Sequence, residues 1–315
     1  MLKLTRGAIS FLLAQYRAIY KHAYVKGLAS AIAVSAFVIP AAAHADDPAD
    51  LTVEASKTVD VNETKVCGTV TLNDKSVLNI AGDSGDVKVT ATKIVGHSAS
   101  KTAGEANDKT DAADAKFINI STGDASNNST LTVSGEGLNE FAGFHSFINV
   151  NKKGTLAIKK EEKDHDLNLK GRLSIEGGTL TAKSVTLDDD NASLNIGKEA
   201  TITTTTANDI TLNKGLISNK KNDQSIKEVS GGEVWSDDGV STTIETLKGG
   251  KLYANAKAEG KTQGSYKATA IAVEANKTLT IENTTVTTDA AASVAKDGTL
   301  EIARTGNLVV SGEQT

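Results

Sequence analysis

The sequence predicts an all-β protein: a right-handed, single-stranded parallel β-helix, or solenoid, after an N-terminal signal helix. Three observations lead there. Apolar residues come in short clusters that alternate with polar ones, the clusters return about every 20 residues, and aromatics are scarce, 12 in 315 residues. With 2 prolines, 27 glycines and 1 cysteine, the composition excludes a collagen and a disulfide-stapled scaffold. Charged residues make up 23% and the net charge is -5, which excludes the basic footprint of a nucleic-acid-binding protein.

The first 45 residues differ from the rest. Met1 to Ala45 carries Lys3, Arg6, Arg17, Lys21 and Lys26 and no acidic residue. Gly27 to Ile39 is a run of small and apolar residues, followed by Pro40 and Ala41-Ala42-Ala43-His44-Ala45. A basic region, an apolar core and a small-x-small end make a secretory signal peptide, with Ala43 and Ala45 before the cut and Asp46 after it. The apolar run falls short of the roughly 20 residues that span a bilayer, which favours cleavage over a retained anchor. Export of this kind implies the Sec translocon and signal peptidase as partners. The mature chain, 46–315, has 270 residues; basic residues fall from 34 to 29 against an unchanged 39 acidic ones, so its net charge is -10. Five aromatics leave with the signal and seven remain, while Cys67 has no partner for an internal disulfide.

From Leu51 onward the apolar clusters share one form, a Gly or polar residue and then Leu, Val or Ile alternating with Thr, Ser, Asn or Lys. Ser76-Val77-Leu78-Asn79-Ile80, Ser129-Thr130-Leu131-Thr132-Val133, Gly154-Thr155-Leu156-Ala157-Ile158 and Gly298-Thr299-Leu300-Glu301-Ile302 are examples. Period-two alternation with β-branched enrichment predicts strands with one buried face. One apolar anchor per cluster gives 131, 156, 173, 194, 212, 234, 252, 279 and 300, a mean step of about 21. About 13 coils stacked at about 4.8 Å would extend on the order of 60 Å. A β-helix fits better than a sandwich because its interior is a thin column suited to Val, Ile, Leu, Ala and Thr, whereas a sandwich calls for bulkier residues and hairpin turns. Residues 46–75 could cap one end of the stack. Four polar stretches, His97 to Lys116, Lys159 to Lys170, Lys214 to Ser230 and Ala254 to Lys267, read as loops leaving the column.

The segment from Ser129 to Leu156 contains Leu131-Thr132-Val133, Asn139-Glu140-Phe141-Ala142-Gly143, Ile148-Asn149-Val150 and Gly154-Thr155-Leu156. It resembles the passenger-associated repeat of bacterial autotransporters, and the long basic region before the apolar core resembles the extended signal peptides of that type V secretion class. The resemblance implies an exported β-helical passenger, at the cell surface or outer membrane or secreted, often an adhesin whose partners are host or bacterial surface molecules. The translocator barrel of such proteins would show alternating strands with aromatic girdles. Nothing after Trp235 reads that way, so the expectation is a passenger truncated at its C-terminus that meets the outer membrane only through a translocator domain not present here. The rival expectation is a protein released without its own translocator.

Candidate chemistry is sparse. Gly82-Asp83-Ser84-Gly85 is similar to the nucleophile motif of chymotrypsin-like proteases, yet only 38 mature residues precede Ser84 and none is His, so a turn between strands explains it better. In Asp164-His165-Asp166 an extended chain would place the imidazole opposite the carboxylates. In Asp188-Asp189-Asp190 the outer two would share a strand face, as in calcium-dependent β-helical lyases, with an Asp-rich turn as the simpler alternative. Cys67 reads as a buried small hydrophobe. Phe141, Phe144 and Phe147 hold three of the seven mature aromatics and read either as an exposed interaction patch or as rings packed in the column or under a loop. The expectation is a non-enzymatic binding protein without cofactor or metal; the alternative is a β-helical carbohydrate-active enzyme using Asp188 and Asp190.

Overall fold

Alternating apolar and polar residues have one stable outcome when many such segments follow each other: strands that pair sideways and turn their apolar sides together. The structure, a computed structural model, describes residues 48–82, 84–100, 112–121, 126–256 and 259–311. The signal segment 1–45 and the cleavage residues Ala43, Ala45 and Asp46 lie outside them.

Among the described residues there are 28 strands and a single 3-10 turn, Glu136–Leu138. The strands form three open sheets of 8, 9 and 11 members, none closed into a barrel. Pairing is parallel throughout, apart from the small antiparallel step of Lys163–Asp164 on Gly154–Lys160. Parallel neighbours joined by short connections, each strand lying on the one a turn earlier, make a solenoid. The 11-stranded sheet, called the long sheet, runs from Thr58–Val61 to Thr299–Ala303. The early sheet runs from Leu51–Val53 to Thr201–Thr204 and the late sheet from Asp166–Leu169 to Asn307–Val310.

Over the middle of the chain each coil visits the long, early and late sheets in turn, as in Ser146–Val150, Gly154–Lys160 and Asp166–Leu169, then Arg172–Ile175, Thr179–Ala182 and Ser184–Leu187. Elsewhere one bent strand replaces two. Ser265–Val273 is the clearest: its first half pairs with Thr285–Thr288 and its second half with Ala292–Val294. Its in/out alternation slips at Glu245's level in the preceding strand, where the pairing passes from Ile244↔Ala268 to Thr246↔Ala270. A slip of one residue in a period-two pattern lets the strand turn a corner and keep its apolar side inward.

The inward residues stack in register. Leu131, Leu156, Leu180 and Ile202 form one row, and Leu173, Leu194, Ile217, Val234 and Leu252 another. Apart from the half-buried Ile202, all are buried, each contributing about 1.5–3 kcal/mol relative to exposure. Two aromatics, Phe141 and Tyr266, join this aliphatic core. Tyr266 is fully buried, with its hydroxyl 2.7 Å from the Val234 carbonyl and 2.8 Å from the Tyr253 carbonyl. Corners are tight enough to select glycine. At Gly154 a Cβ would stand 2.4 Å from the Ile120 carbonyl oxygen, and Gly215 combines a φ of +83° with a Cβ that would stand 2.3 Å from the Ala192 oxygen.

Three expectations need correction. The long sheet has 11 rungs, against the 13 coils inferred from spacing. The anchors were also drawn from different faces: Leu131 and Leu156 are true neighbours, but Leu156 and Leu173 lie on different sheets, as do Leu194 and Leu212. Two of the expected loops contain strands: Asp166–Leu169 with Leu167 and Leu169 buried, and Leu216–Asn219 and Gln224–Val229 with Ile217, Ile226 and Val229 buried. Such strands need only two or three inward apolar residues among many polar ones, so their average polarity resembles that of a loop. At the first end of the stack, Leu51–Val53 and Thr58–Val61 pair in register with the coil that follows.

Candidate functional site

The outer face of the long sheet carries two parallel columns of side chains, one rung apart at about 4.8 Å. The first column reads Phe117, Phe147, Arg172, Ser193, Leu216, Glu233, Lys251. The second reads Asp60, Asn79, Asn119, Asn149, Ser174, Asn195, Ser218, Trp235, Tyr253. Parallel in-register pairing puts equivalent positions of successive coils side by side, so motif resemblance in sequence becomes a ladder in space.

At the lower end the ladders are closed. The Asn79 amide donates to Asp60 at 2.8 Å, Asn119 to Asn79 at 2.9 Å and Asn149 to Asn119 at 2.8 Å. Beside them the Phe117 and Phe147 rings stack at 4.8 Å, and the Arg172 guanidinium lies 4.7 Å from the Phe147 centroid and 4.8 Å from that of Phe144. This also settles where Phe141, Phe144 and Phe147 sit: they are 3%, 4% and 6% exposed, so the exposed patch is not formed. Phe141 belongs to the main core, while Phe147 packs with Ala112, Ala115 and Phe117 in a satellite cluster beneath the segment that follows residue 111.

Above Asn149 the second column runs through Ser174, Asn195 and Ser218, with Ser193 beside them in the first, and the surface sinks. Two adjoining hollows, about 420 and 250 Å³ in volume, share Arg172, Ser193 and Leu216. The larger is floored by Ser174, Asn195 and Ser218 and walled by Phe147, Glu176 and Lys220. The smaller continues toward Asp190 and Glu233. Within the floor, Asn195 Nδ2 donates to Ser174 Oγ and Glu176 Oε1, both at 2.8 Å, and Ser174 Oγ donates to the same carboxylate at 2.7 Å. Farther up, Trp235 and Tyr253 follow Ser218 in the second column and raise the surface again. The Lys251 ammonium lies 4.9 Å from the Tyr253 ring centroid. Burial, with the Glu233 carboxylate beside it, pushes the Tyr253 phenol well above its usual value, so it stays a neutral hydroxyl. Glu282, next in the column, is held below the usual carboxylate range by the hydrogen bond from Lys251 and the charges of Lys251 and Arg304.

No match to this chain was found among protein-family models, curated proteins or solved structures. The groove is therefore read from its own residues.

The other singled-out residues lie elsewhere. Asp188, Asp189 and Asp190 follow the strand Ser184–Leu187 in a turn, where Asp189 Oδ1 accepts from the Asn191 amide at 2.8 Å; Asp190 reaches the rim of the smaller hollow. His165 stands between Lys163–Asp164 and Asp166–Leu169, and Asp166 is tied to Ser184 and Lys183. Among the described residues no group of three or more His, Cys, Asp or Glu gathers as a metal site. Cys67 is fully buried, and burial pushes its thiol up. Ser84 lies in the bend joining Ser76–Ile80 to Val87–Val95. The groove was missed because its floor is made of Ser and Asn, unremarkable singly; the signal available was the run of small polar residues Ser174, Asn195 and Ser218 between Asn149 and Trp235 in the second column.

Proposed function

We propose that the chain is a non-enzymatic, adhesin-like passenger of the autotransporter type, exported by its first 45 residues and acting at the cell surface or after secretion. In this reading the coil is a right-handed single-stranded β-helix and the groove on the long sheet is the contact surface. The observation that carries it is the open trough over Ser174, Ser193, Asn195 and Ser218, a rigid surface of ready-made polar groups on a stacked scaffold. Binding is supported over turnover by the placement of the best acidic candidates: Asp188 and Asp190 sit in a turn and do not share a strand face.

The test is expression of the chain in a Gram-negative host with N-terminal sequencing of the exported product, and, with an autotransporter translocator barrel fused after it for display, attachment of the bacteria to cultured epithelial cells. The expected result is a mature protein beginning at Asp46 and attachment above that of the host alone. Retention in the cytoplasm with Met1 intact, or depolymerisation of polyuronate that is lost in Asp188→Ala and Asp190→Ala, would overturn it.

A further inference from the structure

Resting on that reading, we infer that the groove on the long sheet binds a neutral, extended glycan chain, laid across the rungs between the Phe147–Arg172 ridge and Trp235. Four features select this ligand. First, the trough is open and spans the rungs from Ser146–Val150 to Glu233–Ser236, four strand steps or about 19 Å, too long and shallow for a compact small molecule. The rung spacing is close to the repeat of one pyranose in an extended chain, so successive sugars meet successive rungs.

Second, the groups offered are hydroxyls and amides on the floor, Ser174, Ser193, Asn195 and Ser218, with half-buried rings where the floor rises, Trp235 and then Tyr253. A pyranose has polar edges and an apolar CH face, the complement of hydroxyl donors and acceptors beside an aromatic plane. Third, the charges alternate in sign: Arg172 and Lys220 against Glu176, Asp190 and Glu233. That mixture offers a polyanion such as a nucleic acid or polyuronate as much repulsion as attraction. Fourth, the floor is the face of a sheet whose strands are paired on both sides, so a peptide cannot dock here by adding a strand.

The test is calorimetric titration of the purified chain with cellohexaose and chitohexaose, with hexagalacturonate as the charged comparison. Variants are Ser193→Trp, which fills the floor, and Trp235→Ala, which removes the ring; far-UV circular dichroism checks that both fold. Binding of a neutral hexasaccharide, weakened about tenfold or more by Ser193→Trp and about fivefold by Trp235→Ala, supports the inference. No binding of either neutral sugar, binding of hexagalacturonate alone, or binding indifferent to both variants overturns it. Attachment of bacteria carrying Ser193→Trp separates this from the function proposed above. Undiminished attachment by the variant rejects the groove as the adhesive site and leaves the adhesin standing. Sugar binding by a chain that is retained in the cytoplasm with Met1 intact upholds the groove and rejects the adhesin.

Discussion

Phe117 and Phe147 occupy the same position on neighbouring rungs, with ring centroids 4.8 Å apart and planes 8° from parallel. Their separation equals the spacing of paired strands, so the stack is a direct product of register. Their sequences show it: Phe117-Ile118-Asn119-Ile120 and Phe147-Ile148-Asn149-Val150 repeat a pattern in which Phe and Asn face outward and the aliphatics inward. Replacing Phe147 by Ala removes the ring between Phe117 and Arg172 and should cost about 3 kcal/mol in chemical denaturation. Phe147→Leu, which keeps most of the volume, should cost less than half as much.

The amide ladder gives a second measurement. Asn119 donates to Asn79 and accepts from Asn149, so Asn119→Ala breaks two hydrogen bonds and takes a partner from the Asn79 oxygen and from the Asn149 amide nitrogen. The expected loss is about 2 kcal/mol in equilibrium unfolding. Asn119→Asp keeps the acceptor and loses the donor, and should fall between the two.

Glycine substitutions separate backbone conformation from crowding. Gly215 and Gly239 both have positive φ, +83° and +73°, but only at Gly215 would a Cβ meet a neighbour, the Ala192 carbonyl oxygen at 2.3 Å. Gly239→Ala should cost about 1 kcal/mol from conformation alone. Gly215→Ala should cost at least about 2 kcal/mol more, because the corner that feeds Leu216 into the long sheet must open.

Acid should find Asp114. Burial works against its charge, yet the Ala99 amide at 2.6 Å and the His145 ring nitrogen at 2.7 Å together hold the carboxyl below its ordinary value. A lowered folded-state value means that the stability it contributes is complete above the ordinary value, about pH 4, and is lost as pH falls through the folded one. Asp114→Asn should therefore lower stability by about 1.5 kcal/mol at pH 7, and the difference should shrink as pH falls below about 4 in melting curves recorded across the acid range.

Alternation with Val, Ile and Leu made the all-β class and the strands around Leu78, Leu131, Leu156, Leu173 and Leu252 legible in the sequence, because each cluster carries its own inward and outward faces. Which cluster stacks on which was not legible. Leu173 rests on Ile148 and Leu194, and nothing in its local pattern tells the long sheet from the early or late one. The bent strands Ser241–Leu247 and Ser265–Val273 were hidden for a related reason: the one-residue slip that turns the corner interrupts the very periodicity that marks a strand. Phe144 and Phe147 could be noticed as aromatics in a poor background, but their burial depends on Arg172 and on Ala112 and Ala115, one rung or some thirty residues away.

The direction of the hydrogen bonds between rungs has a mechanical consequence. In parallel sheets they point along the stacking direction, from Asn307–Val310 to Thr285–Thr288 and on to Ser265–Ala268. Tension applied along that direction loads the bonds of one rung before those of the next, so the domain should yield by peeling in a sawtooth of small, similar forces. Each tooth should correspond to one rung, such as Thr285–Thr288 on Ser265–Ala268, held by four parallel pairs.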